Sequence, residues 1–216
     1  MFENLRIIIV NFQTPDLLKI SVESFRKFYP DARMTIIDNG SKDNSDEVIK
    51  RIQETFPDRT DVLILDKNIY HGPAMNYALN TLNEDYVFFI DSDTETKKGG
   101  FLEPMVKLLE LSENAYAAGR QITVNKRGFL SEKGKAILTP AYMMLKRKLY
   151  RKFPPFEHHG QPVMKNFFCA QEKGYLLKTF PIENYIDHKW RGTASRFGYG
   201  LGIKGKIDFV LNKFGI

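Results

Sequence analysis

The chain has 216 residues, 43% of them hydrophobic and 27% charged. This is the profile of a soluble globular protein with enough material for one domain and a good core. A single cysteine, Cys169, excludes a disulfide framework and a cysteine-based zinc site, and it fits a reducing compartment. The net charge of +6 hides an imbalance, because residues 1–125 hold 14 Lys and Arg against 20 Asp and Glu while residues 126–216 hold 18 against 6.

Taken in order, residues 5–10 read as a buried strand, with no signal peptide ahead of it. Thr14 is placed to cap a helix and Pro15 suits its first turn. That helix is predicted to about residue 28, followed by a strand at 34–37, a helix from 45 to about 56 and a strand at 62–65. His71-Gly72-Pro73 opens a third helix through about residue 82. Residues 86–90, Tyr-Val-Phe-Phe-Ile, form a run too continuous for a half-exposed strand and too short for a membrane span, so they read as a strand buried on both faces in the middle of a parallel sheet. The alternation β-α-β-α-β-α-β over about 90 residues predicts an α/β chain with a right-handed, parallel, nucleotide-binding first half. Beyond it the pattern changes. Residues 101–111 look helical, 115–118 and 121–124 look like short strands around Gly119, and 128–139 look polar and turn-rich. A strand at 141–145, the basic stretch 146–152, a helix at 161–173 and an extended stretch at 175–180 follow.

In parallel sheets ligands bind at the carboxyl edge. There strand one offers Asn11, strand two Asp38, strand three Asp66 and Asn68, and strand four Asp91 and Asp93. Asp91 and Asp93, two apart, share a face if the chain stays extended, and two carboxylates aimed together suit a divalent cation or a cationic or hydroxyl-bearing ligand. Asp-x-Asp alone also fits a plain strand end. The first loop has no Gly-x-Gly-x-x-Gly, and the chain has no P-loop pattern. These absences argue against a dinucleotide on a helix N-terminus and against a P-loop NTPase.

Strand–Asn11-Phe12, then Ile36-Ile37-Asp38-Asn39-Gly40-Ser41-Lys42-Asp43, then Asn68-x3-Gly72-x3-Asn76, then Phe88-Phe89-Ile90-Asp91-Ser92-Asp93, in this order and spacing, resembles the family 2 glycosyltransferases. The resemblance covers residues 5–95 strongly and the remainder loosely. It implies a single GT-A type domain over residues 1–216, with a Rossmann-like, mostly parallel central sheet flanked by helices. About 1–95 would form the nucleotide-binding half, and about 96–216 a smaller acceptor-side half with a basic tail. It also implies an inverting transferase with a nucleotide-diphosphate-sugar donor, UDP or GDP, and Mn2+ or Mg2+. Asp38 would bind the base or ribose. Asn11, Asn68, Gly72, Asn76 and Ser92 would belong to the donor pocket, Asp91 would touch the donor and the cation, and Asp93 would hold the cation. His188 in Asp187-His188-Lys189-Trp190 would be a further metal ligand, and Arg191 and Thr193 would contact the diphosphate. Two departures stand out. Met75 occupies a position where many relatives carry arginine, with His71 or Lys67 as candidate replacements. The acid that relatives use as catalytic base is missing near residues 160–165, which leaves Glu157 and His159 as candidates and His158 as a structural neighbour.

The expected acceptor is a saccharide or a lipid-linked saccharide. The basic half, with Lys204, Lys206 and Lys213 interleaved among apolar residues, suits peripheral membrane contact on the inner face from a cytoplasmic location, and equally the packing of a terminal helix on the domain or in a homodimer. A sugar nucleotidyltransferase is the enzymatic alternative, but it wants a glycine-rich, basic loop after strand one. A basic module binding nucleic acid or lipid is the non-enzymatic one, but it leaves the acids at the strand ends unexplained, and no nucleic acid is expected as a partner.

Overall fold

The computed structural model describes residues 3–190, 192–198, 201, 202, 207 and 212. In chain order the elements are β1 (Leu5–Asn11), α1 (Pro15–Arg26), β2 (Met34–Asp38), α2 (Ser45–Thr55), β3 (Thr60–Ile64), α3 (His71–Thr81), β4 (Tyr86–Ile90), β5 (Thr94–Thr96), α4 (Leu102–Glu110), β6 (Ala115–Val124), β7 (Lys135–Lys146), α5 (Arg147–Tyr150), α6 (Met164–Glu172), β8 (Leu176–Thr179), β9 (Ile186–His188) and α7 (Thr193–Phe197). Seven strands form one sheet in the order β3-β2-β1-β4-β7-β6-β8, and β5 pairs with β9 in a separate two-stranded ribbon. Within the large sheet β7 runs against its neighbours β4 and β6, and the remaining pairs are parallel. The fold is thus α/β with a mostly parallel sheet. β4 is central but bounds the parallel block, being parallel to β1 and antiparallel to β7.

Alternation along the strands builds the two layers. Ile7, Ile9, Met34, Ile36, Phe88 and Ile90 face α1, α2 and α4 through Leu18, Val22, Phe25, Ile49, Leu102 and Met105. The intervening Ile8, Val10, Ile37, Val87 and Phe89 face α3 and α6 through Ala74, Met75, Ala78, Leu79 and Phe167. A one-residue slip in β1 or β4 would exchange these sets and unmatch each from the helix side chains it packs against.

Three local expectations need correction. Thr14 does not cap α1 with its side chain. Its hydroxyl donates to Asn11 Oδ1 (2.9 Å) and lies 3.0 Å from Ser92 Oγ, a tertiary use that outcompetes the cap. The two short strands around Gly119 are one strand, β6, with an irregularity between Gly119 and Gln121. Residues 135–139 are not turn but the start of β7. Pro140 lies where the β6 pairing jumps from Leu138 to Met143, a bulge that accommodates a residue with no N–H to donate.

A buried ion pair ties the amino ends of β1 and β4. Arg6, 4% exposed, donates from Nε (2.8 Å) and Nη2 (2.6 Å) to Glu84 Oε1 and also pairs with Asp61 on β3. Burial pushes the Glu84 carboxyl up, but the Arg6 hydrogen bonds and charge outweigh it and hold the group below the ordinary glutamate range. A lowered folded-state pKa contributes stability above the unfolded value of about 4.3, and that stability is lost as pH falls through the folded value. Glu84→Gln should therefore lower stability at neutral pH by roughly 1–3 kcal/mol, and its deficit against the wild type should shrink in acid. Urea midpoints for both proteins at pH 7 and pH 3.5 measure this, and a deficit independent of pH would count against the ion pair as its source.

Candidate active site

The carboxyl edge of β1, β2 and β4 is a continuous polar rim. Pairing sets Asn11 directly beside Asp38, and Ile8 beside Phe89, so Asp91 emerges at the same edge. Asn11 is fully buried, and both ends of its amide are used within the protein. Its Nδ2 donates to Asp38 Oδ1 (3.0 Å), and its Oδ1 accepts from Thr14. Asp38 also receives the Ser41 backbone N–H (3.0 Å) and hydroxyl (2.6 Å). A hydrogen-bonded chain Ser41–Asp38–Asn11–Thr14–Ser92 thus crosses the rim from β2 to the residue between Asp91 and Asp93. Ser92, 5% exposed, is its last member.

The next loop is tied to this rim. Asn39 Nδ2 donates to Asn68 Oδ1 (3.0 Å), and Asn39 Oδ1 accepts the Ile69 N–H (3.0 Å). Asn68 is therefore beside the β2 turn, whereas Asn76 is further along α3. Its Oδ1 accepts from Tyr150 Oη (2.7 Å) and from Asn80 (3.2 Å), which joins it to the second half. The Tyr150 hydroxyl accepts the Phe156 N–H, and burial pushes its pKa up to about 12, so it remains a donor to Asn76.

Asp91, Asp93 and His188 each offer a ligand atom, and these atoms all lie within 4.8 Å of one another. His188 Nε2 is 3.3 Å from Asp93 Oδ1 and 3.6 Å from Asp91 Oδ2. The three residues meet because β5, immediately after Asp93, pairs with β9 so that Thr94 lies opposite His188. Ser21 on α1 bonds the Asp91 carbonyl (3.1 Å) and Thr94 (3.0 Å), fastening the turn. Burial pushes the His188 imidazolium down, but the Asp91 hydrogen bond and the charges of both aspartates outweigh it, leaving its pKa above the ordinary histidine value. At Asp91 burial raises the pKa, and the charge of His71 with the hydrogen bond and charge of His188 lower it below the ordinary aspartate range. Two carboxylate oxygens and one imidazole nitrogen suit Mn2+ or Mg2+, so these residues fit a divalent cation. His188 Nδ1 accepts the Trp190 N–H (3.2 Å), so a neutral ring in this arrangement carries its proton on Nε2, and a cation at Nε2 requires that proton to move to Nδ1 and the Trp190 bond to open.

The segment after β9 closes over this set. Gly192 donates its N–H to Asp93 Oδ2 (2.8 Å), and a Cβ there would come within 2.8 Å of the same carboxylate, so a side chain at 192 would force Asp93 to shift. Thr193 donates to the Phe12 carbonyl (3.0 Å), and Arg196 forms a two-pronged pair with Asp16 (2.9 and 2.7 Å). Arg191, Lys204, Lys206 and Lys213 lie outside the described residues.

The 157–159 loop packs on the start of α3, where Gly72 faces the Glu157 carbonyl so closely that a Cβ would lie 2.1 Å from it. The Glu157 carboxylate pairs with Lys165 (2.6 Å). The His159 ring turns back to Gln161, its Nδ1 accepting the Gln161 N–H (2.9 Å), and packs toward Gly128. His158 stacks on Tyr70, with centroids 3.5 Å apart and planes 7° apart. Of the basic run 146–152, Arg147 donates to the Glu84 and Asn83 carbonyls, Lys146 to the Ser112 carbonyl and Lys152 to Tyr175, and Lys148 pairs with Asp85. Much of this charge therefore serves the fold.

Residues 6–170 match the sequence model of the family described as Glycosyl transferase family 2. The chain belongs to glycosyl transferase family 2. An uncharacterized glycosyltransferase of Nostoc sp. (strain PCC 7120) is 30% identical over 108 residues, which are 50% of this chain and 33% of that protein. Among solved structures, a mannosyltransferase from Pyrobaculum calidifontis, in complex with GDP-Man and Mn2+, superposes with a TM-score of 0.66 at 18% identity, covering 82% of this chain and 55% of the other. S. aureus TarS, residues 1–349 with UDP-GlcNAc, superposes with a TM-score of 0.60 at 16% identity, covering 86% and 60%. The chain thus spans about a third to three-fifths of the length of these relatives, and the structural likenesses support the GT-A fold. Among the described residues no helix is long and apolar enough to cross a membrane.

The family's pattern accounts for Asp38, Asp91 and Asp93 as candidates. Sequence reasoning did not single out the Gly192 N–H on Asp93, the Asn39–Asn68 tie or the Thr14–Ser92 link. Gly192, between Arg191 and Thr193, was the available signal for the first of these.

Proposed function

We propose that the chain is a metal-dependent, inverting glycosyltransferase that moves a sugar from a nucleotide-diphosphate-sugar to a hydroxyl of a saccharide or lipid-linked saccharide. The observation that carries this reading is the convergence of Asp91, Asp93 and His188 at the end of β4, on the same rim as Asp38 and Asn68. In this reading residues 1–216 act as one transferase domain. Asp38 and Asn68 take the base and ribose, Thr193 lies toward the diphosphate, and Asp91, Asp93 and His188 hold Mn2+ or Mg2+. The bound cation supplies charge neutralisation for the departing diphosphate. The Gly192 N–H holds Asp93 Oδ2 in place beside this set. Glu157 and His159 stay candidates for accepting the acceptor's proton, and Glu157 must first exchange Lys165 for the acceptor hydroxyl. The two neighbours bound to GDP-Man with Mn2+ and to UDP-GlcNAc are the support for the donor class.

Thermal-shift measurements with UDP-, GDP- and dTDP-sugars, each with and without Mn2+, test the proposal. One nucleotide should stabilise the protein only with metal, by about 2.7 kcal/mol at one hundred times its Kd. Stabilisation that ignores the metal would overturn the metal-dependent reading, and no stabilisation by any sugar nucleotide would overturn the donor class.

A further inference from the structure

We propose that His71 is a positioning residue for Asp91, holding that carboxylate turned toward the cation site; this rests on the metal-dependent reading above. Asp91 has one imidazole on each oxygen. His188 Nε2 stands 3.6 Å from Oδ2, on the cation side, and His71 Nε2 stands 3.5 Å from Oδ1, on the other. The set of ligand atoms that converge within 4.8 Å comprises Asp91, Asp93 and His188 and does not extend to His71, which therefore backs Asp91 rather than joining the set. A carboxylate's terminal torsion is broad and two-fold, so a partner on the outer oxygen narrows the range that His188 alone leaves open. Partners behind a ligating carboxylate orient it and tune the affinity of the site.

The backbone around His71 is built to hold it there. Tyr70, immediately before it, adopts φ 69° and ψ 165°, a region that side chains other than glycine's rarely enter. Such a conformation persists only when its surroundings determine it. Here Asn68 Oδ1 accepts the Tyr70 N–H (2.7 Å), the Tyr70 ring stacks on His158, and the Tyr70 carbonyl accepts the Ala74 N–H (3.0 Å) to open α3. On the other side Gly72 is pressed against the Glu157 carbonyl. His71 is the residue between these two anchors, and its ring reaches the Asp91 carboxylate. Anchors drawn from the 157–159 loop also link this arrangement to the acceptor-side half.

The test compares His71→Gln, which keeps an N–H near the Nε2 position, with His71→Leu, which keeps bulk without a donor. Mn2+ binding is read by electron paramagnetic resonance on protein without nucleotide, and melting temperatures report folding. His71→Leu should raise the Mn2+ dissociation constant by about 10-fold or more, and His71→Gln should stay close to the wild type. Wild-type affinity in His71→Leu, or equal weakening in both variants, would overturn the role of His71 while leaving the metal site intact. A wild-type protein that leaves the free Mn2+ signal unchanged would overturn the metal reading itself, and His71's role with it.

Discussion

Replacing Asp93 with alanine is expected to lower sugar transfer and donor hydrolysis by about 10^3-fold or more while the chain stays folded. In the proposed cation set Asp93 supplies one of the two carboxylates found among the described residues. A metal that neutralises developing charge contributes several kcal/mol, and each 1.36 kcal/mol is a factor of ten in rate. The same carboxylate also accepts the Gly192 N–H, so the alanine variant loses a buried hydrogen bond worth about 1 kcal/mol. For a chain of this size that loss corresponds to a fall in Tm of about 2–4 °C. Asp93→Asn separates the two roles, because the amide oxygen can still accept from Gly192 while the charge is gone. Its activity should be as low as that of the alanine variant and its Tm closer to the wild type. Release of nucleotide diphosphate from the donor sugar in the presence of Mn2+ measures the first effect, and calorimetry the second. Turnover unchanged in both variants would remove the metal-dependent mechanism.

The parts of this molecule that were legible in the sequence are those where burial imposes a pattern. β4 could be read because four buried residues in a row have no polar alternative, and because carboxylates follow at once. α1 to α3 could be read from apolar spacing and from Pro15 and His71-Gly72-Pro73. The β5–β9 ribbon could not, since three residues in each strand are too few for a period, yet this ribbon is what brings His188 to Asp91 and Asp93. His188 entered as a candidate through the family resemblance and not through any pattern of its own. Thr14 shows a second kind of failure, in which a local rule for helix caps was overridden because the hydroxyl is shared between Asn11, to which it donates, and Ser92, 78 residues away. The start of β7 was hidden because residues 128–139 are polar and turn-rich in composition, whereas the strand starts at Lys135 and runs on through Pro140 at a bulge. The 157–159 loop is placed by the absence of a side chain at Gly72, a contact between residues 85 apart that no local signal encodes.

Gly40→Ala is expected to cost about 2–5 kcal/mol of stability and to weaken nucleotide binding as well. Two effects combine. Gly40 has φ +73°, where a Cβ costs roughly 1–2 kcal/mol. The added Cβ would also lie 2.4 Å from the Lys67 carbonyl carbon, 2.5 Å from its Cα and 2.6 Å from the Asn68 nitrogen. All three are backbone atoms, so no side-chain rotation relieves the clash, and overpacking of this kind costs typically 1–3 kcal/mol. The relief available is to push residues 67–68 away from the β2 turn. That movement breaks the Asn39–Asn68 and Asn39–Ile69 hydrogen bonds and separates Asn68 from Asp38, the two residues assigned to the nucleotide. Urea unfolding gives the stability change, and the nucleotide-dependent thermal shift gives the binding change. Gly40→Asn discriminates between the two causes. Asparagine tolerates a left-handed backbone better than alanine does, so if φ alone mattered it would recover most of the loss. Because the obstruction is the Cβ itself, Gly40→Asn should be at least as destabilised as Gly40→Ala, and an asparagine variant near the wild type would show that the close approach of the two loops is not what glycine serves here.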